Sequence, residues 1–165
     1  MQDFIAGLFN DFGGIIVFFH IIAASFLLGS MFMIVFIIKP ALMDIDDLAV
    51  RYSRCIKILG RYFYYLLGVM ALIISASFAM RVGLGFEFAS PVLLSLVHVK
   101  EAIWLLVACN FIYMYIRLRN AKKLLSTREF FEVHENLGLI VNWLMPLNII
   151  LSMIAIYIGI AIRGL

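Results

Sequence analysis

Residues 13–38 read GGIIVFFHIIAASFLLGSMFMIVFII, with His20 as the single ionisable side chain. A hydrocarbon layer about 30 Å thick is crossed by roughly 20 apolar residues in a helix, so this stretch reads as a transmembrane helix. Lys39 and Pro40 follow it directly, a charge and a helix-stop signal together. Three further apolar stretches repeat the pattern: 62–80, ending at Arg81; 91–116, opening at Pro91; and 137–162, interrupted by Pro146. Proline suits the first turn of a helix. Within a span it is expected to kink the helix and free a carbonyl. The expected fold is all-α, a single integral membrane four-helix bundle occupying residues 1–165.

Composition agrees. Of 165 residues, 65% are hydrophobic and 14% charged, which excludes an ordinary water-soluble domain. The residues outside the spans are too few for a separate soluble domain, so any active site belongs within or at the edge of the bundle. Cys55 and Cys109 stand far apart with no CxxC or CxxCH, which argues against a c-type haem, a zinc ribbon or a disulfide framework. The N-terminus, MQDFIAGLFNDFGG, has two aspartates and no Lys or Arg. That is the reverse of a signal peptide's basic start, so the first helix is expected to remain in the mature protein.

The basic residues are sorted by topology. Lys39, Arg51, Arg54, Lys57 and Arg61 lie in the expected loop 39–61, and Arg117, Arg119, Lys122, Lys123 and Arg128 in the expected loop 117–136. These are ten of the thirteen cations; the others are Arg81, Lys100 and Arg163. By the positive-inside rule both loops face the cytoplasm and both termini the periplasm, placing the chain in the cytoplasmic (inner) membrane. The net charge of +3 reflects this sorting and gives no support for nucleic-acid binding. The second loop has the composition of a short amphipathic surface helix. Gly68, Ala71, Ser75 and Ala79, and Ser25 with Gly29, are spaced to let helices approach closely in lipid.

Ionisable groups within spans are functional candidates by default. Here they are His20 in the first span and His98, Lys100 and Glu101 in the third. Each histidine lies about seven residues from the outer start of its helix, roughly 10 Å deep at 1.5 Å per residue. Two imidazoles at one depth on separate helices suit bis-histidine ligation of a b-type haem. Arg81 is placed to pair with a haem propionate. The plainer reading has each histidine bonding a backbone carbonyl, Ser25 or Ser95, and serving only packing. Positions 98 and 101 share a helix face, while 98 and 100 are about 200° apart. Either His98 and Glu101 face the bundle, or Lys100 faces it with Trp104. His134, among acidic residues at the boundary, reads as exposed. Asn110, Asn142 and Asn148 read as interhelical hydrogen-bonding groups. Met31 and Met33 are soft donors suited to Cu(I), although methionine more often simply lines a span.

The segment FHIIAASFLLGSMF around His20 resembles the first-helix histidine motif shared by HemJ-type protoporphyrinogen oxidases and the copper-resistance D (CopD) membrane domain. HVKEAIWLLVACNFIYMY, with Lys100, is similar to the lysine-bearing third helix of both, and Asn110 resembles an asparagine late in that helix of the copper family. LGRYFYYLLG resembles the second-helix start of the copper family, and WLMPLNIILSMIAIYI, with Pro146, the last helix of the HemJ type. The likeness spans nearly the whole chain. It differs at Phe26, where that group usually has tryptophan, at IKPALMDID, and in lacking a histidine late in the lysine helix. The resemblance implies a b-type haem, with His20 and Lys100 as working residues and His98 added by the depth argument. The expected function is electron transfer or porphyrin redox chemistry, with a redox partner or a porphyrin as the other party. The alternatives are a CopD-like copper-handling protein and a non-catalytic subunit of a larger membrane complex; self-association is left open.

Overall fold

The computed structural model describes the backbone of residues 2–85 and 90–164, and the side chains of 6–85 and 90–162. Six α-helical segments follow in order: α1 Gln2–Met33, α2 Lys39–Met43, α3 Leu48–Gly83, α4 Pro91–Ser126, α5 Phe130–Gly138 and α6 Met145–Gly164. Two π-helical turns, Ile34–Ile38 and Leu139–Leu144, join α1 to α2 and α5 to α6. The result is four long rods, all apolar enough to cross a membrane. No strand occurs among the described residues.

The rods are longer than the apolar stretches alone imply. Helix α3 begins at Leu48, so most of the expected loop 39–61 is helical. Helix α4 continues to Ser126, and α5 starts at Phe130, leaving Thr127–Glu129 as the turn where a connector of twenty residues was expected. At 1.5 Å per residue, a 36-residue helix is about 54 Å long, well beyond the hydrocarbon thickness. The polar ends stay helical because apolar positions continue at the helical period: Tyr52, Ile56, Leu59 and Phe63 on α3, and Leu118 and Ala121 on α4, are buried. The amphipathic segment 130–138 is stacked on the last span and does not stand apart as a surface helix.

Local signals set the ends. The Asp47 carboxylate accepts from the amides of Ala49 and Val50, at 2.8 and 3.1 Å, and caps α3. Ser90 caps α4 ahead of Pro91. The backbone leaves α3 through Gly85, at φ 64°, a left-handed conformation that costs glycine little.

Neither interior proline stops its rod. Pro40 lies within α2, so the first rod runs past Lys39-Pro40 to Met43. A proline ring crowds the carbonyl four residues before it and offers that carbonyl no N–H. Those carbonyls belong to Phe36 and Asn142, and both lie in the π turns. A wider turn absorbs the local clash, so the expected interruption at Pro146 is a π turn within a continuous rod. Both π turns also line one cavity at the basic end of the bundle, with Tyr52 and His134.

Helix α1 packs against α3, α4 against α6, and the remaining sides close through α3 with α4 and α1 with α6. The core stripe of the first rod is His20, Ala23, Leu27 and Met31 on α1 and Ile34 in the π turn, spaced by three and four. Gly29 and Gly68 face open space, and Ser25, Ala71 and Ser75 are exposed. Apart from the half-buried Ala79, the small residues singled out above thus point away from the bundle, and close packing is made instead by Ala23 and Ala76. One glycine does carry a close approach. A Cβ on Gly83 would overlap the Phe9 ring and its Cβ. Gly83→Ala is therefore expected to destabilise the protein by about 1–3 kcal/mol in thermal unfolding in detergent, and Phe9→Ala alone is not expected to restore the midpoint of the double variant, because its Cβ still overlaps the new one.

Candidate functional site

Rotation of the helices about their axes decides which ionisable groups meet. His20 is 8% exposed, on the core stripe of α1. Its Nδ1 lies 3.5 Å from Ser77 Oγ of α3, at the long limit of a hydrogen bond. The Ile73 carbonyl is a second polar neighbour from α3, and Lys100 of α4 is within electrostatic range of the ring. Helix α6 completes the surroundings through Gly159, where a Cβ would stand only 3.3 Å from Lys100 Nζ. Residues of all four rods therefore surround one imidazole and one lysine amine. The serines expected as partners lie elsewhere: Ser25 is exposed, and Ser95 donates to the Pro91 carbonyl at 2.8 Å.

Of the two rotations of α4 left open by the sequence, the observed one turns Lys100 and Trp104 inward. His98, about 200° around the helix from Lys100, is exposed. A matching position along the two apolar stretches did not mean a shared interior: the residue that α4 brings to His20 is Lys100. Glu101 pairs with Arg81 at 2.6 Å, tying α4 to the end of α3. Both side chains are a third or more exposed, so this bridge contributes at most about 1 kcal/mol. Arg81 is thus already engaged through one of its nitrogens, with the other guanidinium donors left for an anion.

A second polar layer lies deeper. Ser30 and Asn110 are each ten residues further along α1 and α4 than His20 and Lys100, which is about 15 Å down the bundle. Asn110 Nδ2 donates to Asn148 Oδ1 at 2.9 Å, joining α4 to α6 as expected of interhelical asparagines. Tyr62 of α3 neighbours Ser30, so every rod supplies one polar group at this level. Between and around the layers, Trp104 Nε1, Ser152 Oγ, Asn148 Nδ2 and Tyr62 Oη are buried and have no hydrogen-bond partner among the described residues. Such orphaned groups are costly in a dry interior. Sequence reading found the asparagines but not this layer, whose signal was the matching ten-residue offset on two helices.

The other candidates separate clearly. Asn142 is exposed at the basic-end cavity and makes no hydrogen bond among the described residues. His134 is exposed as expected, although its Nδ1 lies 3.2 Å from Tyr52 Oη. Met31 is fully buried and Met33 is 53% exposed. Cys55 and Cys109 are free thiols on α3 and α4. No cluster of three or more His, Cys, Asp or Glu side chains suited to a metal ion occurs among the described residues.

Comparison with protein-family models, curated proteins and solved structures finds no match to this chain. The geometry and the motif residues are what bear on function.

Asn148 is wholly enclosed and held by one side-chain bond. Asn110→Ala removes that bond and leaves the buried Asn148 Oδ1 unsatisfied beside its unpartnered Nδ2, so it is expected to cost about 1–3 kcal/mol. Thermal unfolding in detergent measures this, and a change below a few tenths would mean the layer is hydrated.

Proposed function

We propose that this is a multi-pass protein of the cytoplasmic membrane, with its termini and the His20–Lys100 centre toward the periplasm, working in porphyrin redox chemistry or electron transfer as a divergent HemJ-like protein. One observation carries the reading: a buried imidazole on α1 and a lysine on α4, the two residues the HemJ resemblance singles out, lie within electrostatic range of each other inside the bundle. Ionisable groups are kept in such surroundings at a cost.

The residues fit a b-type haem in one way and not in another. A sandwich between His20 and His98 does not fit, because the face of α4 turned to His20 carries Lys100 while His98 is exposed. Of the two histidines, His20 is the one that would hold the iron. Ser77 at Nδ1 and the Ile73 carbonyl, both from α3, are polar neighbours of its ring, and such partners set the tautomer and orientation of a ligating imidazole. The buried N–H and O–H groups of Trp104 and Ser152 are donors without a partner among the described residues, in keeping with a polar guest. When bound, the haem would supply one-electron exchange. The chain's own part is to shield the site from water and to present Lys100 as a proton-holding or anion-pairing group, with Arg81 for a carboxylate at the rim.

Protein purified from haem-replete cells is expected to show a Soret band. His20→Ala should reduce bound haem about tenfold, Lys100→Met should shift the band, and His98→Ala should leave it nearly unchanged. Colourless protein that stays unaltered on adding haemin would reject the haem. Orientation is tested separately: a C-terminal alkaline phosphatase fusion should be active, and an inactive one would reverse the topology.

A copper-handling role of the CopD kind is the second reading, favoured by one feature. Met31, Met114 and Met145 are fully buried in the same core, and thioethers are soft donors suited to Cu(I). Stoichiometric copper without haem after purification would select this reading, and unchanged copper accumulation in His20→Ala and Met31→Leu would remove it.

A further inference from the structure

At the basic end, a wide groove runs between α3 and α4. Arg81 beside Glu101, and Phe63 with its ring centroid 6.1 Å from that of Tyr115, fix the two helices as antiparallel neighbours. That register puts Lys57 level with Lys122, Arg61 with Arg119 and Tyr65 with Tyr115, all on the groove walls. Successive pairs are about one helical turn, roughly 5–6 Å, apart. Two tiers of cations therefore stand above one tier of tyrosines. Exposed apolar side chains continue below along both helices, among them Leu67 and Ile112.

Three features distinguish this groove from a generally basic membrane flank. No acidic side chain lines it, although Asp44, Asp46, Asp47, Glu129, Glu132 and Glu135 occur in the same end of the sequence. None of its four cations has a carboxylate partner among the described residues. Other cations of this end do have internal partners: Arg51 donates to the Ile45 carbonyl at 2.8 Å, and Arg117 to Tyr113 Oη at 2.7 Å. The floor is also open, since nothing lies within 4 Å of a Cβ placed on Gly60.

Four converging cations repel one another unless an anion sits among them. We propose that the groove binds the phosphate headgroup of an anionic phospholipid, best a doubly charged one, with its acyl chains lying along the apolar faces of α3 and α4 below Tyr65 and Tyr115. Charge complementarity selects the phosphate, and basic pockets between transmembrane helices suit such headgroups. The tier order selects a lipid over a soluble anion: cations at headgroup level, tyrosines at the interface and hydrocarbon below match the layers of a leaflet. This site is on the opposite end of the bundle from His20 and does not depend on the haem reading.

Native mass spectrometry of the detergent-solubilised chain, with cardiolipin added, tests it. Wild type is expected to retain one cardiolipin, and the Arg61→Gln/Arg119→Gln variant to need at least tenfold more lipid for the same occupancy. Arg61→Lys/Arg119→Lys should keep most of the binding, as should Arg54→Gln/Lys123→Gln, whose cations lie outside the groove. Raising salt should release the lipid from wild type, because charge contacts at a surface are screened. Equal retention of phosphatidylcholine, full displacement by inorganic phosphate at equal phosphate concentration, or undiminished binding by the glutamine variant would each overturn the proposal. Should the glutamine variant fail to fold, loss of binding in Arg54→Gln/Lys123→Gln or absence of a salt effect on wild type overturns it equally.

Discussion

Hydrocarbon offers no water to a peptide group, so every backbone N–H and C=O crossing it must be paired within the chain. Helical rods meet that demand, and most of this chain is spent on four of them. The same demand explains the handling of the prolines. At Pro40 and Pro146 a carbonyl loses its donor and meets a ring, and in each case a π turn precedes the proline. The rod is widened locally and not broken, and both widened turns border the same cavity.

Once the backbone is satisfied, side chains decide how the rods face one another. Lipid is as apolar as the core, so burial of leucine or isoleucine gives little preference for one rotation over another. Polar groups give a much stronger one. His20, Ser77, Lys100 and the Asn110–Asn148 pair are turned inward, where they find each other and escape hydrocarbon. Two polar layers about 15 Å apart therefore register the four rods, and the buried methionines and aliphatic residues fill the space between them and the basic end.

Much of this was legible in advance. The spans, their number and the all-helical class follow from residues 13–38 and their three counterparts. Helix lengths were not, because Lys57, Arg61, Arg119 and Lys122 read as loop residues. They are good helix formers on rods that keep burying Tyr52, Ile56, Leu118 and Ala121 at the same levels, so the helices continue past the apolar stretches. Gly68 and Ser75 had the right spacing for close packing, but spacing does not say which neighbour stands opposite, and they face outward.

The sequence by itself determined that four segments are long and apolar enough to cross a membrane and that His20, His98 and Lys100 stand at similar positions along their apolar stretches. Hydropathy and helical rise act along one chain and need no partner. Only the tertiary structure decided that Lys100 meets His20 while His98 faces out, that Arg81 takes Glu101, and that four cations converge on one groove. Those outcomes depend on the rotation of each rod about its axis, where 100° per residue separates inside from outside and only the neighbouring helices fix the angle.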